Sequence, residues 1–379
     1  MTRTTSLRQG LAGELSEQGL LTDPAWRAAV EAVPRELFLD DAVFRSDGTQ
    51  WEPVCREQLG DDEWFRMVHS NTTWVTQVDG TGARDAPGPL AGRPTSSGTL
   101  PSLVVRMLEL AEVRDGDKVL EIGTGTGYST AILCHRLGDE CVYSVEYDEE
   151  LAAAAARHLQ AAGRSPHLAV GDGLLGHQDG ADYDTVIATC AVRTVPPSWL
   201  WQLRAGGGIV TTISGWMLGS GLIRLVLDEE GVVRGRFTAD PVSYMLARPH
   251  ERPPRPTFYA HPGRTREARV GPDLLDDWAG LFVAQLGAPS AELVRTADGV
   301  ALVDVATGSQ AWTEPDGDGG GWRVHQDGPL RLWDQVEEAL DTWQKAGSPH
   351  QTAFGMTVTE WDQVVWLGDP DGPCWRLPA

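Results

Sequence analysis

One short stretch limits what this chain can fold into more than any other. Residues 118–131 read KVLEIGTGTGYSTA, an apolar run followed by three glycines and then by a helix-like pattern. A buried strand that turns through glycines into a helix begins several nucleotide-binding α/β folds. A P-loop is excluded because no Gly-Lys-Ser/Thr follows the glycines. A dinucleotide fingerprint, GxGxxG, needs its third glycine where Tyr128 stands, so this GxGxG loop departs from it.

Strands and helices alternate around this loop. A helical pattern, LPSLVVRMLELAEV, precedes it, and the segments CVYSVEY, EELAAAAARHLQAAG, YDTVIATC, GGIVTTI and LIRLVL follow it in that order. Strands that alternate with helices are typical of parallel sheets covered on both faces. The sequence therefore predicts an α/β fold with a doubly wound, mostly parallel sheet. Residues 45–98, which are rich in Gly, Asp, Ser and Thr, are expected to be irregular.

The composition changes after residue 247. The stretch RPHERPPRPTFYAHPGRTR is rich in proline and arginine, which is typical of an extended linker. Eight of the 15 tryptophans lie beyond it, together with strand-like segments and the helix-like LRLWDQVEEALDTWQKAG. We therefore predict an α/β domain over residues 1–247, a linker over 248–270 and a C-terminal α+β domain over 271–379, which is a candidate for peptide recognition.

Three acids stand close to the ends of successive strands. Glu121 lies two positions before the first glycine, Glu146 ends the next strand, and Asp172 in GDG follows the third. A carboxylate beside the loop repels a pyrophosphate but suits a cationic ligand such as S-adenosylmethionine, with its sulfonium and ammonium groups. Glu146 is placed to accept from the ribose hydroxyls and Asp172 from the adenine amino group, although each acid alone also fits a solvated loop. The predicted cofactor-binding residues are Glu121, Gly123, Thr124, Gly125, Thr126, Gly127, Tyr128, Glu146, Tyr147, Asp172, Gly173 and Thr189.

A family resemblance supports this interpretation. The segments that carry it are VPRELFL (33–39), the long stretch 96–138 around the glycine loop, VYSVEYDEELAAAAARHL (142–159), GDGLLG (171–176) and the stretch 183–213. Together they resemble the protein-L-isoaspartate O-methyltransferases over residues 25–240. The resemblance implies a Rossmann-like class I methyltransferase domain within residues 1–247, with S-adenosylmethionine as cofactor. It also implies methyl transfer to an aspartate-derived carboxylate of a peptide.

The same resemblance identifies two hydroxyls as candidate catalytic groups. The family places a Thr-x-Ser-x-Pro segment against substrate and cofactor, and here the segment is SGTLP, with Ser97 and Thr99 in inverted order. A carboxylate is already a nucleophile at neutral pH, so the enzyme must mainly orient and desolvate it, a task that suits hydroxyls and backbone N–H groups. The alternative is that Ser97 and Thr99 cap the helix that begins near Pro101.

Six further residues are predicted to contact the substrate. His69, Ser70 and Asn71 occupy the stretch where the family lays a loop across the site. Cys190, Ala191 and Arg193 end the fourth strand or follow it. A small buried side chain is the alternative role for Cys190, and plain exposure is the alternative for Arg193.

Two enzyme functions and one binding function fit these residues. The tail beyond residue 247 and the insert at 45–80 resemble the actinobacterial branch of the family that is associated with ribosomally made peptides such as graspetides, lasso peptides and lanthipeptides. That resemblance implies methylation of an aspartate in a macrocyclised peptide, followed by loss of methanol to give an aspartimide and, on hydrolysis, isoaspartate. The alternatives are repair of isoaspartyl proteins and a non-catalytic subunit that binds S-adenosylmethionine.

Charge and composition exclude other classes of function. A formal net charge of −23 is unsuited to nucleic acid or an anionic membrane surface. No segment approaches the roughly 18 apolar residues of a membrane-spanning helix. The five cysteines show no CxxC pair and the nine histidines no metal-ligand spacing, so we expect reduced thiols, no metal and a cytoplasmic enzyme. The arginines that would attract an acidic peptide, unless they only keep the linker soluble, are Arg248, Arg252, Arg255, Arg264, Arg266 and Arg269.

Overall fold

The computed structural model describes residues 3–254, 259–261, 263–317 and 320–378. The chain forms two compact units. The first contains the chain up to Thr189 together with Trp201–Val210, and the second contains Cys190–Leu200 together with the chain from Thr211 onward. Each unit is described by itself.

The first unit begins with two helices and a small antiparallel sheet. The elements are α1 (Arg3–Glu17), α2 (Pro24–Ala32), β1 (Ala42–Ser46), β2 (Trp51–Cys55), α3 (Arg56–Leu59), α4 (Asp61–Val68), β3 (Trp74–Val78), β4 (Thr81–Gly82) and β5 (Pro94–Gly98). The strands follow the order β2, β1, β3, β4, and β5 also pairs with β3. The expectation that residues 45–98 are irregular is therefore wrong.

The two faces of this small sheet explain why it is stable. Side chains alternate along β1, so that Val43 packs with Trp64 and Val68 of α4, whereas Phe44 packs with Val75 and other buried residues on the opposite face. Each strand has five residues or fewer. A period-2 pattern this short is hard to recognise in a sequence rich in turn residues.

A parallel sheet completes the first unit. Its elements are α5 (Pro101–Leu110), β6 (Val119–Ile122), α6 (Tyr128–Leu137), β7 (Val142–Glu146), α7 (Glu149–Ala161), β8 (His167–Val170) and the larger parts of β9 (Tyr183–Val192) and β10 (Leu203–Ile213). Helix α8 (Pro197–Trp201), which follows β9 in the chain, belongs to the second unit up to Leu200. Strands β8, β7, β6 and β9 lie side by side in that order and run parallel, and β10 is next to β9. The chain moves outward from β6 to β8 and then returns to the other side of β6. This reversal is the topological switch point at which open α/β sheets bind ligands, and it confirms the predicted α/β fold.

The second unit contains antiparallel strands and two longer helices. The elements are β11 (Gly221–Leu227), β12 (Val233–Phe237), β13 (Arg264–Glu267), α9 (Trp278–Gly287), β14 (Glu292–Arg295), β15 (Val300–Asp304), β16 (Ser309–Asp316), β17 (Gly321–Asp327), α10 (Leu332–Lys345), β18 (Phe354–Val358), β19 (Gln363–Leu367) and β20 (Cys374–Arg376). Strands β11, β12, β18, β19 and β20 are neighbours in that order, and β13, β17, β16, β15 and β14 form a separate sheet. Trp333 and Trp343 of α10 are buried core residues, whereas Trp361 is 86% exposed.

Four of the six arginines of the predicted linker have acid partners within the second unit. Arg266 and Arg269 both reach the fully buried carboxylate of Glu337, at 2.7 and 3.0 Å. Arg248 pairs with Glu251, and Arg252 pairs with Glu292. Arg255 lies outside the described residues. Because these four guanidinium groups are held by acids of the same chain, they give weaker support for the attraction of an acidic peptide. Arg264, at the start of a strand, is exposed.

Two further observations concern the part of the chain that the structure describes. None of its helices is both long and apolar enough to cross a membrane. Within the same ranges, no group of three or more His, Cys, Asp or Glu side chains is arranged to hold a metal ion. All five cysteines are free thiols.

Candidate cofactor and active site

The glycine loop between β6 and α6 has a backbone conformation that residues other than glycine would adopt only with strain. Gly123, Gly125 and Gly127 have φ angles of +93°, +55° and +91°. Side chains with a Cβ atom disfavour this left-handed region. At Gly125 a Cβ atom would meet nothing within 4 Å, so the loop leaves open space there, whereas at Gly127 it would touch Leu159 and Ala155 of α7. The three glycines thus let the loop turn while leaving room beside Gly125.

Glu121 lies inside the protein rather than at the loop surface. Its carboxylate is fully buried and accepts hydrogen bonds from Ser129 and Thr130 of α6, both at 2.5 Å, and from Ser144 of β7 at 2.7 Å. Burial raises the pKa of the Glu121 carboxyl, although the three hydroxyls oppose the shift. Thr124 is also buried and shares a hydrogen bond with Ser144. Glu121 therefore joins β6, β7 and the start of α6, and direct contact with a cofactor stays a prediction.

Glu146 is fixed at the end of β7 and faces the loop. Its Oε2 accepts from the backbone N–H of Gly125 at 2.8 Å, and its Oε1 accepts from that of Asp148 at 3.1 Å. A carboxylate has about four acceptor positions, so these two bonds orient the group without saturating it. The ring of the next residue, Tyr147, is 52% exposed.

The other predicted cofactor residues converge on the same edge of the sheet. Asp172 accepts from the N–H of Leu174, and Gly173 is packed so closely against Ile122 that a Cβ atom would come within 2.5 Å of it. On the opposite side, the hydroxyl of Thr189, which directly follows the part of β9 that pairs with β6, donates to the carbonyl of Gly123 at 2.5 Å. The structure thus brings the GDG segment and Thr189 to either side of the glycine loop.

These residues fit S-adenosylmethionine. Glu146 retains acceptor positions for ribose hydroxyls, Tyr147 offers an exposed ring for the adenine, and the open space at Gly125 allows close approach to the backbone. Asp172 has a further carboxylate oxygen beyond the one that accepts from Leu174. The individual contacts of these residues with the cofactor stay predictions.

A buried arginine that the sequence analysis did not single out organises the predicted substrate side of the first unit. Arg35 is 1% exposed, and burial lowers the pKa of its guanidinium to about 10. Its two terminal nitrogens donate, at 2.7–3.3 Å, to the backbone carbonyls of Val68, Ser70, Thr72, Gly98 and Thr99. It also lies over the ring of Tyr128 at the start of α6. Arg35 therefore holds the segments that contain the predicted substrate and catalytic residues together.

Ser97 and Thr99 do not cap the helix that follows them. Helix α5 has Leu100 at its N-cap and no side-chain cap there. Its first turn is instead met by Asn71, whose side-chain oxygen accepts from the N–H of Ser102 at 3.0 Å. The capping alternative is therefore wrong, because a distant loop supplies the acceptor.

The predicted substrate loop has internal partners of its own. His69 is buried, with Nδ1 2.7 Å from the carbonyl of Phe65 and Nε2 3.0 Å from the carboxylate of Glu36. The Ser70 hydroxyl donates to the carbonyl of Met67. The position of the loop is thus fixed, and contact of His69, Ser70 and Asn71 with substrate stays a prediction.

The other three predicted substrate residues belong to the second unit. Ala191 is fully buried and pairs through its backbone with Met245 and Ala247, and Cys190 is half-buried. The Arg193 guanidinium lies 3.8 Å from the centre of the Trp216 ring and donates to the carbonyl of Pro289. Burial lowers the pKa of Arg193. Their contact with substrate also stays a prediction.

Comparisons with known proteins agree with this architecture. Residues 74–223 match the family model described as protein-L-isoaspartate(D-aspartate) O-methyltransferase. The protein-L-isoaspartate O-methyltransferase of Ignicoccus hospitalis is 39% identical over 154 residues, which are 39% of this chain and 71% of that protein. The protein of the same name from Thermococcus onnurineus is 34% identical over 214 residues, 56% of this chain and 88% of that protein.

A solved structure extends the likeness in fold beyond the matched sequence. A chain named protein-L-isoaspartate O-methyltransferase superposes with a TM-score of 0.52 and 19% identity, covering 93% of this chain and 96% of its own. The likeness in fold therefore extends over the C-terminal part, beyond the residues that the sequence comparisons match. With relatives this similar over most of their own length, the chain belongs to the protein-L-isoaspartate O-methyltransferase family and is a carboxyl methyltransferase that uses S-adenosylmethionine.

Proposed function

We propose that this enzyme methylates the side-chain carboxylate of an L-isoaspartyl residue in a peptide. The observation that carries the proposal is the set of contacts around Arg35, which holds the hydroxyl-bearing segment 97–99 and the loop 68–72 together beside Tyr128 of the glycine-loop helix. The names of the relatives support isoaspartate as the acceptor.

The chemistry that S-adenosylmethionine supplies is an electrophilic methyl group on a sulfonium sulfur. The carboxylate oxygen forms the new bond to carbon as the sulfur–carbon bond breaks, giving a methyl ester and S-adenosylhomocysteine. The nucleophile is an anion, so no proton has to be removed. The residues of the chain therefore need only hold the carboxylate in line with the methyl group and keep water away.

The hydroxyls of Ser97 and Thr99 are the groups we assign to that orientation. Both residues are half-buried, and the backbone beside them is fixed by Arg35. The two terminal nitrogens of Arg35 are occupied by five carbonyl oxygens, so this cation does not compete for the carboxylate and lower its nucleophilicity. Arg35 is thus a positioning residue, and the donors near the reacting oxygen are neutral.

A second candidate is the methylation of an ordinary aspartate in a macrocyclised, ribosomally made peptide. It is favoured by the order of Ser97 and Thr99, which is inverted relative to the family segment. The neighbouring backbone nitrogen then attacks the ester and expels methanol, which gives a five-membered imide. Hydrolysis of the imide gives aspartate or isoaspartate.

One experiment separates these functions. The enzyme is incubated with S-adenosylmethionine and three peptides: a linear isoaspartyl peptide, its aspartyl twin, and a macrocyclic peptide of the aspartyl sequence. Mass spectrometry follows formation of the methyl ester and any later loss of methanol. Methylation of the isoaspartyl peptide alone supports the proposal, and methylation of the macrocycle alone with loss of methanol replaces it with the second candidate. Calorimetric binding of the cofactor without methylation of any peptide would indicate a non-catalytic subunit.

A further inference from the structure

A cavity of about 720 Å³ opens beside β2 and α3 in the first unit. It is lined by three stretches of chain: residues 40–42, residues 53–61 and residues 83–86. Its volume lies within the range of sites that bind small molecules or peptide side chains. None of the predicted cofactor or substrate residues lines it, so it is a separate feature of the unit.

One wall of the cavity is tied to the glycine loop. The carboxylate of Asp40 lies 2.8 Å from Nε2 of His158 on α7. The other ring nitrogen of His158, Nδ1, is 3.0 Å from the carbonyl of Thr126 in the glycine loop. His158 is only 8% exposed, and Phe38 packs edge-on against its ring. A single imidazole ring therefore separates the cavity wall from the loop, which places the cavity close to the predicted cofactor site.

The charges of the residues that line the cavity favour a cationic ligand. Arg56 is held by Asp41 at 3.1 Å and by Asp61 at 2.8 Å, and it lies over the Phe65 ring, so its own charge is already matched. The lining contains four carboxylates, Asp40, Asp41, Glu57 and Asp61, against two guanidinium groups, Arg56 and Arg84. The acids therefore remain in excess, although Asp40 is paired with His158, and Asp41 and Asp61 are paired with Arg56. The chain as a whole carries a net charge of −23. Both the local and the long-range field therefore attract positive groups.

We propose that this cavity is a subsite for peptide residues that flank the methylated carboxylate, and that it selects basic side chains. The proposal rests on the proposed function, because it assumes that a peptide is the substrate. The side chains of Asp40, Asp41 and Asp61 are 58%, 55% and 64% exposed, so water screens each new ion pair. Each basic residue is therefore expected to lower KM by about two- to fivefold rather than by orders of magnitude.

The thiol of Cys55 provides a direct probe of occupancy. Cys55 lines the cavity and is half-buried, whereas Cys374 is exposed and lies in the second unit. The enzyme is treated with iodoacetamide in the presence of S-adenosylhomocysteine, which prevents turnover, and one of three synthetic hexapeptides. Each hexapeptide contains one isoaspartyl residue, flanked by lysines, alanines or glutamates, and a parallel set contains aspartate instead. Mass spectrometry of the digested protein gives the alkylation rates of Cys55 and, as the internal reference, of Cys374.

We expect the lysine peptides to slow alkylation of Cys55 but not of Cys374, and the glutamate peptides to have no effect. KM should rise from the lysine to the glutamate peptide. The variant Glu57→Gln should weaken this preference about twofold, while Glu63→Gln, an exposed acid on the neighbouring helix α4 that does not line the cavity, should leave it unchanged.

Two other outcomes are distinguishable. Methylation of all three isoaspartyl peptides, but not of the aspartyl set, with unchanged Cys55 reactivity and no dependence of KM on charge would overturn the subsite and leave the proposed function intact. Protection of Cys55 by the lysine peptides without methylation of any peptide would support the subsite and overturn the proposed function.

Discussion

The cofactor side and the substrate side of the first unit are held in place in different ways. On the cofactor side, Glu146, Asp172 and Thr189 come from the ends of parallel strands or just after them, so the sheet itself brings them to the glycine loop. Several independent contacts support that loop, including the three hydroxyls around Glu121.

On the substrate side, one buried cation joins two segments that come from different parts of the chain. The loop at 68–72 and the segment 98–99 both present backbone carbonyls to the single guanidinium of Arg35. An unpaired carbonyl in a buried position is costly, so loss of that one side chain would disturb both segments at once, although each also has hydrogen bonds of its own. The comparison teaches that cofactor binding should tolerate single changes better than substrate positioning does.

Replacement of Arg35 should have the largest effect. Arg35→Met leaves five carbonyls without this donor, including those of the buried residues Val68 and Gly98, which should lower the free energy of unfolding of the first unit by about 3–5 kcal/mol. Chemical denaturation followed by circular dichroism measures this. The control is Arg27→Met, which breaks only an exposed ion pair with Glu31 and should cost about 0.5 kcal/mol. A loss below 1 kcal/mol for Arg35→Met would show that the substrate side does not depend on this cation.

Removal of a candidate catalytic hydroxyl should act on rate rather than on stability. Ser97→Ala should lower kcat about ten- to a hundredfold, because a misoriented carboxylate loses most of the benefit of proximity. Ser97→Thr, which keeps a hydroxyl, should retain most of the activity. The measurement is initial-rate kinetics with the peptide that proves to be the substrate, and an unchanged kcat in Ser97→Ala would remove Ser97 from the catalytic assignment.

A change in the glycine loop should have a smaller and more selective effect. Gly127→Ala places a Cβ atom on a backbone with φ +91°, at a cost of about 1 kcal/mol, and should weaken S-adenosylmethionine binding about fivefold. Gly163→Ala is the matched control, because Gly163 also has a positive φ of +72° but ends α7 in open space. Both variants should lose similar stability in denaturation experiments. Calorimetry should find weaker cofactor binding only for Gly127→Ala, and equal affinities would argue against a cofactor role for this loop.

The same two regions differ in how far the sequence predicts them. The parallel sheet was predictable because whole strands and helices alternate, and the acids were predictable because parallel strands end at one edge. The small antiparallel sheet of β1 to β5 was not predictable, because strands as short as β4, with two residues, leave no periodic pattern in the sequence. Asn71 as the acceptor for α5 was also missed, since its partner Ser102 lies 31 residues further along the chain.

Arg35 shows most clearly what a sequence pattern leaves out. An arginine within VPRELFL is expected at the surface, yet this one is 1% exposed. Its acceptors lie 33 to 64 residues away and are backbone carbonyls, which every residue type provides. No spacing of residue types in the sequence predicts such hydrogen bonds. The sequence pointed to Arg35 only through its place in the family segment VPRELFL, and that resemblance assigned the arginine no role.

The contact of His158 with Asp40 on one side and with the glycine loop on the other should respond to pH. This is the smallest effect that we predict. Burial opposes the charged form of His158, but its hydrogen bonds with Asp40 and Thr126 raise its pKa above the ordinary value of 6.5, while Arg157 acts in the opposite sense. The hydrogen bond with His158 lowers the pKa of Asp40 below 3.8, with help from the charges of His158, Arg157 and Arg84. A raised histidine pKa gives stability that is complete below pH 6.5 and is lost as the pH rises through the folded value. The lowered pKa of Asp40 gives stability above pH 3.8, so the ion pair acts between these limits.

Cofactor affinity should therefore fall about twofold between pH 6 and pH 8, because the exposed Asp40 makes this ion pair weak and the pair holds the loop only through Thr126. Calorimetric titration with S-adenosylmethionine across this range measures the slope. His158→Gln and Asp40→Asn should each flatten it, and the double variant should add nothing further, since both remove one interaction. If the wild type and both variants showed the same slope, the imidazole of His158 would not couple Asp40 to the glycine loop. A flat profile in the variants alone would mean that Asp40, in the wall of the cavity, acts on the glycine loop through this one ring.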